Sequence, residues 1–294
     1  AVVNHQRIVA NRAFIEANVI EDGIDAIYER RARGNYGMHQ RALLIAAIVR
    51  QHGDNARYLN DLLDKPEGAS YLGIRRALYG LVWRDGQPFE SPEYNSLWVQ
   101  NLTAVTSLLP KLGVDVSTLP RLRRLFDAPL AAIAIGRHTP ALGDTSSVYG
   151  GVVGEAPSVY QQAFRTYGDP RYAAFLAAFG GAGDGGFRDF ASLQHPPLEA
   201  AVAAPADRRV APQRSRLLSG FGLALLNDPA DETAVSLYFG QHVSHFHFDR
   251  LHFDLFARGW PLTPDLGYPD AMNIYVPGVW TWSVNTIAHN TVTV

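Results

Sequence analysis

The spacing of apolar residues changes once along this chain, and that change limits the folds open to it. Over the first two-thirds, apolar residues recur at the spacing of a helix, most densely from Gln40 to Arg50. Beyond residue 212 the spacing shifts towards the period of two that is typical of strands. An all-β part is therefore predicted to follow an all-α part.

The predicted helices are short and end at residues that break helices, chiefly Gly and Pro. Beyond the densest one, the stretches with a helical pattern are Tyr71–Trp83, Leu97–Leu109, Leu119–Phe126, Pro157–Tyr167 and Pro170–Phe179. Helices of about 11 to 15 residues with short or medium connections favour successive helical hairpins. No strict repeat is found, so a regular solenoid is not predicted.

The pattern predicts three segments: a helical domain at 1–199, a linker rich in Ala and Pro at 200–212, and the start of an antiparallel β-domain at 213–294. Strands are expected in Ser215–Leu226, Thr233–Phe239, Leu251–Ala257 and Asn290–Val294, with turns at Asn227–Ala230 and Arg258–Gly259. A two-layer sandwich normally needs more strands, so the β-domain is expected to be truncated.

Composition excludes several classes of protein. With 26 basic and 28 acidic residues and a net charge of −2, the chain has no basic excess for nucleic acid. The longest run without Asp, Glu, Lys or Arg, residues 271–294, is interrupted by Asn, Pro, Ser, Thr and His, so no membrane span of roughly 18 apolar residues is predicted. The absence of cysteine excludes disulfides and a thiol nucleophile. The chain begins at Ala1 and ends at Val294 in an apolar run, so we expect a removed leader and a cut end.

Four of the ten histidines fall between residues 242 and 252. On a strand, His245, His247 and Asp249 would share one face, while Phe246 and Phe248 would point into a core. One histidine of this strand, with the downstream Asp265 and His289, would supply the N, N, O donors of a metal site. The alternative is a polar strand face with scattered histidines.

The helical part offers three further polar clusters. Asn35 and His39 lie at the start of the densest helix, where backbone N–H groups favour an anion, although Asn35 in that position is more often a cap. Tyr94 follows a Pro-rich loop and precedes Trp98 on an aromatic-rich helix; taken alone, it is most often a packing residue. The Gly-rich loop 142–151 is interpreted as a rim rather than as chemistry.

Together these motifs resemble the heparinase II/III-like polysaccharide lyases, which include related alginate lyases. The resemblance spans roughly residue 30 to the end of the chain. Its most specific motifs, in the family's order, are Ser244–Asp249, Pro264–Tyr268 and Ala288–Val292; the others are Asn35–His39 and Asp85–Tyr94. It implies an incomplete (α/α) toroid of helical hairpins followed by an antiparallel β-sandwich domain, with both ends shorter than in the family.

The resemblance also implies roles for individual residues. Tyr94 and His245 match the catalytic tyrosine and histidine, and either Asn35 or His39 matches the group that neutralises the substrate carboxylate. His247, Asp265 and His289 match a divalent metal site, zinc in the first place, with a structural role. We further expect Arg250, Trp98 and Tyr268 to contact substrate.

These residue types suit a β-elimination reaction. The proton at C5 of a uronate is weakly acidic, so the carboxylate charge must be dispersed, a base must take the proton, and an acid must protonate the leaving oxygen. The expected partner is an acidic polysaccharide such as alginate or a glycosaminoglycan, met outside the cell or in the periplasm, with no membrane and no nucleic acid involved.

Two other classes of function remain open from the residues alone. The chain could be a carbohydrate-binding fragment without turnover. It could also be a toroid glycoside hydrolase, for which Glu90 and Glu93 are the available carboxylates. A hydrolase needs two carboxyl groups about 5–10 Å apart on either side of the bond, and one short loop places them poorly.

Overall fold

The computed structural model describes residues 11–50, 55–68, 71–145, 157–179, 214–230, 232–241, 244–267 and 279–292. Their contacts group the chain into two units, residues 1–81 and residues 82–294. The predicted linker at 200–212 lies outside the described residues, so the predicted boundary there stays a prediction. Within the second unit, helices and sheet belong together.

The first unit is helical. A π-helical stretch, Glu16–Glu21, runs directly into α1 (Asp22–Tyr28), and α2 (Met38–Arg50), α3 (Asn55–Asp64) and α4 (Ile74–Gly80) follow. The core of this unit gathers side chains from α1, α2 and α3: Ile24, Ile27, Leu43, Ala47 and Tyr58. The prediction of a helix at Gln40–Arg50 is confirmed, whereas α1 and α3 were not predicted.

The helices of the second unit are α5 (Pro92–Leu108), α6 (Pro120–Ala131), α7 (Pro157–Tyr167) and α8 (Pro170–Phe179), and a 3-10 turn, Leu109–Leu112, extends α5. Proline opens α5 and α6, where its missing N–H costs nothing and its fixed φ suits a helix. Helix α7 packs against α8, α5 and α6. These helices confirm the predicted pattern; the predicted toroid stays a prediction.

The sheet has five antiparallel strands in sequential order: β1 (Arg216–Leu218), β2 (Leu223–Asn227), β3 (Thr233–Tyr238), β4 (Phe253–Ala257) and β5 (Trp260–Pro261). The predicted turn at Arg258–Gly259 is confirmed. Both of its residues have positive φ, 53° and 83°, as the favoured two-residue hairpin turn requires. The β3–β4 loop, described at residues 239–241 and 244–252, carries three of the four clustered histidines: His245, His247 and His252.

One face of the sheet packs on residues 131–142 of the helical segment. Leu218, Leu223, Leu225, Tyr238 and Phe256 form a buried core there with Ala132, Ala134, Ile135 and Leu142. Polar contacts at the β1 end reinforce this packing. Asp85 Oδ2 accepts the backbone N–H groups of Gly220 and Phe221 at 2.7 and 2.8 Å, and the Arg216 guanidinium donates to the carbonyls of Ala131 and Ile133.

The opposite face of the sheet is also apolar but exposed. Strand alternation places Leu217, Leu226, Leu237 and Phe253 on it, and each is more than a third exposed. A second sheet against this face is what the predicted sandwich needs. The described residues form one five-stranded sheet, and the predicted sandwich stays a prediction.

The expected strand at Asn290–Val294 is wrong over its described residues, 290–292, which follow a 3-10 turn, Thr286–Ala288. Asn290 instead fastens a loop. Its backbone N–H donates to His252 Nδ1 at 3.1 Å, and its side-chain amide donates to the carbonyl of Thr263 at 2.7 Å.

The two sheet faces should respond very differently to the same truncation. Leu225 is 0% exposed and Leu226 is 62% exposed, although they are neighbours on β2. Leu225→Ala should lower the free energy of unfolding by about 2–5 kcal/mol, because it opens a cavity in the core. Leu226→Ala, the matched control, should stay within about 0.5 kcal/mol. Urea unfolding measures both; equal losses would show that the outer face is covered.

Candidate active site and metal-binding group

Tyr94 and His245 lie face to face. Their ring centroids are 3.5 Å apart and the ring planes differ by 7°. Tyr94 is in the first turn of α5 and His245 is in the β3–β4 loop. The fold therefore brings together two residues that are separated by 150 positions in the sequence. Both side chains are partly exposed, as groups that meet a substrate must be.

Short contacts hold these two segments together. The backbones of Glu90 and Ser244 form a parallel bridge, two residues before the start of α5 and one before His245. Ser91, just before α5, donates its hydroxyl to the carbonyl of Asp144 at 3.0 Å. Asp144 in turn donates its N–H to the carbonyl of His245 at 3.2 Å. The start of α5, the loop at residue 144 and the β3–β4 loop are thus joined.

The carboxylate of Asp144 fixes the protonation pattern of His245. Asp144 Oδ2 lies 3.1 Å from His245 Nδ1. An ionised carboxylate only accepts, so Nδ1 carries a hydrogen and Nε2 is the ring nitrogen that this contact leaves available. This is the arrangement by which an aspartate orients a catalytic histidine in many enzymes.

A buried group of three residues lies next to this pair. The donor atoms of His247, Asp265 and His289 all fall within 4.8 Å of one another, and this group could hold a metal ion. His247 Nδ1 is 3.3 Å from Asp265 Oδ1, and His289 Nε2 is 3.1 Å from Asp265 Oδ2. The sequence prediction that these three residues converge is confirmed by the geometry.

The outer nitrogens of both histidines face acceptors. His247 Nε2 lies 3.2 Å from Asp144 Oδ1, and His289 Nδ1 lies 2.8 Å from the carbonyl of Asn285. Both outer nitrogens therefore carry hydrogens, and the inner nitrogens face each other at 3.3 Å. On a protonated ring the inner nitrogen donates to Asp265, and on a neutral ring it offers a lone pair to a metal ion. Two lone pairs and a carboxylate that converge in this way suit a cation, and partners of this kind are what orient histidine ligands.

Burying a charged group costs free energy, and this cost shifts the pKa values of the buried histidines and carboxylates. Burial alone would lower the pKa of His247, but the bonds to Asp144 and Asp265 outweigh it and raise that pKa to about 9. Burial works to raise the pKa of Asp265, yet His247 and His289 hold it well below its usual range. Nearby, burial and the charge of Asp265 raise the pKa of Asp249 to about 7.

The β3–β4 loop reverses the predicted orientation of its aromatic residues. Residues 245–249 are not a strand, and Phe246 and Phe248 are 43% and 58% exposed, so the expectation that they point into a core is wrong. His247 and Asp249 are the buried residues instead. The core here is polar because contacts between histidines and carboxylates offset the free-energy cost of burying these polar groups.

The three expected substrate contacts have different environments. Trp98 is fully buried and directs its indole N–H towards Glu90 at 3.4 Å, so it has no ring face to offer a sugar. Arg250 is exposed and lines a cavity of about 590 Å³ with Phe246, Phe248 and Asp249. Tyr268 lies outside the described residues.

Asn35 and His39 belong to the first unit, where they flank the start of α2. The carbonyl of Asn35 accepts the N–H of Met38 at 3.2 Å, and His39 is buried with its ring stacked on Tyr71 at 4.4 Å between centroids. Gln40 fastens this turn by accepting the N–H of Gly37 at 2.9 Å and donating to the carbonyl of Leu72 at 2.8 Å.

Sequence reasoning missed Asp144, which contacts both His245 and His247. The loop that contains it was interpreted as a rim because one Asp among Gly, Ser and Thr is unremarkable. No sequence signal marked it, because the φ of +62° at the preceding Gly143, which favours glycine, is known only from the structure. The buried pair of His252 and Asp254, two positions apart in the sequence and 2.9 Å apart in the structure, was missed too.

Residues 211–294 match the family model of the heparinase II/III-like C-terminal domain. The resemblance of this chain to the heparinase II/III-like family is therefore confirmed. Among curated proteins, none matches the chain. No helix in the described part is both long and apolar enough to cross a membrane.

Solved structures of similar fold align with most of this chain. The chain aligns with a crystal structure of heparinase III with a TM-score of 0.61 and 16% identity over 87% of its length. It aligns with heparan sulfate lyase HepC from Pedobacter heparinus with a TM-score of 0.57 and 18% identity over 92%. The chain spans only 38% and 39% of those proteins, and the likeness at this identity is one of fold.

Gly143 should be far less replaceable than another glycine with the same backbone conformation. A Cβ at Gly143 would lie 2.6 Å from the carbonyl oxygen of His245, whereas a Cβ at Gly113, with φ of +75°, would meet nothing within 4 Å. Gly113→Ala should cost about 1 kcal/mol of unfolding free energy, for the left-handed backbone alone. Gly143→Ala should cost about 1–3 kcal/mol more, because the loop must also move.

Denaturant unfolding of the two variants tests this difference. Equal losses at Gly143 and Gly113 would mean that the contact between the 143–144 loop and His245 does not constrain the site.

Proposed function

We propose that this protein is a polysaccharide lyase that cleaves a uronate-containing polysaccharide by β-elimination. One observation carries the proposal: Tyr94 and His245 stack at 3.5 Å, with His245 held by a buried carboxylate, beside a sheet that matches the heparinase II/III-like family. A phenol and an imidazole in contact supply two proton-transfer groups at one position.

The reaction needs both groups. One takes the proton from C5 of the uronate and the other gives a proton to the oxygen that leaves C4; the electrons of the C–H bond form the C4–C5 double bond. His245 has Nε2 available because its Nδ1 is bonded to Asp144. Each positioned acid or base contributes roughly 10²–10⁴-fold in rate.

The substrate carboxylate must also be neutralised, and the resemblance assigns this role to Asn35 or His39. An amide or a neutral imidazole can donate a hydrogen bond to the carboxylate as charge develops on it. Arg250, which is exposed beside the buried metal-binding group, is proposed to contact carboxylate or sulfate groups further along the polysaccharide.

His247, Asp265 and His289 are proposed to hold one divalent metal ion, with zinc favoured by two imidazoles and one carboxylate. The metal, when bound, supplies a positive charge that fastens three loops together. Its proposed role is structural, so the proton transfers are left to Tyr94 and His245.

The substrate class follows from the chemistry of elimination, which requires a uronate. Heparinase III and heparan sulfate lyase HepC are named for glycosaminoglycan substrates. We therefore place glycosaminoglycans first and alginate second, and propose a secreted or periplasmic location where such polymers occur.

The direct experiment follows the ultraviolet absorbance of the unsaturated uronate made by elimination. Purified protein is incubated with heparan sulfate, heparin, chondroitin, hyaluronan and alginate. A rise with one polymer is expected. New reducing ends without a rise would indicate a hydrolase, and binding without either would indicate a carbohydrate-binding fragment.

Tyr94→Phe should abolish turnover while leaving the fold intact. Only the hydroxyl is lost and the ring can still stack on His245. We expect a fall in kcat of about 10²–10⁴-fold with little change in thermal melting. The matched control is Tyr167→Phe, which removes a buried hydroxyl that bonds to none of the described residues. Turnover of Tyr94→Phe within tenfold of wild type would make Tyr94 structural.

His245 and His247 are two residues apart but are proposed to have different roles, so their alanine variants should lose different properties. His247→Ala and His289→Ala should lose bound zinc and melt at a lower temperature, since metal that binds only the folded state stabilises it by about 2.7 kcal/mol at a hundredfold excess over Kd. His245→Ala should keep zinc and lose turnover. Metal analysis and melting curves measure this. Zinc retained in His289→Ala would contradict the assignment of the ligands.

A further inference from the structure

Asp144 contacts two histidines through two different oxygens. Its Oδ2 lies 3.1 Å from His245 Nδ1 and its Oδ1 lies 3.2 Å from His247 Nε2. Asp144 itself is buried. One carboxylate therefore spans the proposed catalytic histidine and the proposed metal ligand.

This contact sets the orientation of both rings. Because an ionised carboxylate only accepts hydrogen bonds, it selects Nδ1–H in His245 and Nε2–H in His247. The opposite nitrogens are then directed to different tasks. His245 keeps Nε2 for proton transfer, and His247 turns Nδ1 towards Asp265 and His289.

The backbone around Asp144 is fixed from both sides. Gly143 donates its N–H to Asp265 Oδ2 at 3.3 Å, and Asp144 donates its N–H to the carbonyl of His245. The carbonyl of Asp144 accepts the hydroxyl of Ser91, at the start of the helix that carries Tyr94. Residues 143–144 therefore touch the metal-binding group, the catalytic histidine and the helix of the catalytic tyrosine.

His245 also has an unusual backbone, with φ of +57°. A left-handed conformation costs a non-glycine residue about 1–2 kcal/mol, and strain of this kind gathers at functional sites and persists where surrounding contacts enforce it. The contacts that enforce it include both the backbone and the side chain of Asp144.

We propose that Asp144 is a positioning residue that couples the metal-binding group to the catalytic pair. Metal binding then orders His247, through it Asp144, and through Asp144 the ring of His245. The proposal rests on the proposed lyase function for its catalytic half only. The residue does not itself touch the substrate. It acts by holding His245 in one tautomer and one orientation.

The first test uses Asp144→Asn, which keeps size and removes the charge. Zinc affinity, measured by competition with a chelator, should fall about 10–100-fold, as for other losses of a partner behind a histidine ligand. The matched control is Asp254→Asn, a buried carboxylate that pairs with His252 instead. Its zinc affinity should stay within threefold of wild type.

The second readout is independent of activity. Nitrogen-15 NMR of labelled histidine, with the His245 signals assigned by their loss in His245→Ala, reports which ring nitrogen carries the hydrogen. His245 should hold its hydrogen on Nδ1 in wild type and lose that preference in Asp144→Asn. With substrate, kcat should fall about 10²–10⁴-fold, with KM changing less than threefold.

Wild-type protein supplies a test even if Asp144→Asn does not fold. Adding Zn²⁺ to metal-free protein should shift the ring signals of His245, although His245 is not a ligand. Unchanged His245 signals on zinc binding, or wild-type zinc affinity and tautomer in Asp144→Asn, would overturn the coupling. Absent lyase activity would refute the proposed function while leaving both readouts interpretable.

Discussion

The site depends on keeping the fully buried carboxylate of Asp265 charged. Four groups compensate it: the N–H of Gly267 at 2.9 Å, the N–H of Gly143 at 3.3 Å, and the rings of His247 and His289. An isolated buried charge would cost far more than a small fold can supply. Satisfying this one carboxylate therefore draws together loops that are distant in sequence. Both glycines have positive φ, and added Cβ atoms would collide with backbone oxygens.

The arrangement explains how two histidines in the sequence His-Phe-His can serve different purposes. The β3–β4 loop leaves the sheet, and His245 has a left-handed backbone conformation. The ring of His245 stacks on Tyr94, whereas the side chain of His247 is buried. The loop can do this because the sheet beneath it is anchored. Asp85, in the loop before α5, bonds to the first hairpin at Gly220 and Phe221. Arg216 bonds the same hairpin to the segment that precedes the Gly143 loop.

Periodicity predicted the helices of the second unit and the β2–β3 hairpin, because those elements bury one apolar face. At the next hairpin it predicted β4 and the turn at Arg258–Gly259, but not the short, exposed strand β5. It failed at residues 245–249, where polar and aromatic residues alternate. There the polar residues are buried because neighbouring groups compensate their charges, and Phe246 and Phe248 are exposed. The metal-binding group could be predicted because His and Asp are distinctive donors. Asp144 could not, since its importance arises only from the tertiary contact with two histidines. Trp98 was expected at the substrate because its helix is near Tyr94, yet that side of the helix faces the core.

The central claim is that the stacked pair of Tyr94 and His245 performs elimination rather than hydrolysis. The most direct measurement is mass spectrometry of the products made in water labelled with a heavy oxygen isotope. Elimination adds no water, so the products should be unsaturated uronate oligosaccharides that carry none of the label. Incorporation of one labelled oxygen at each cleaved bond would contradict the account.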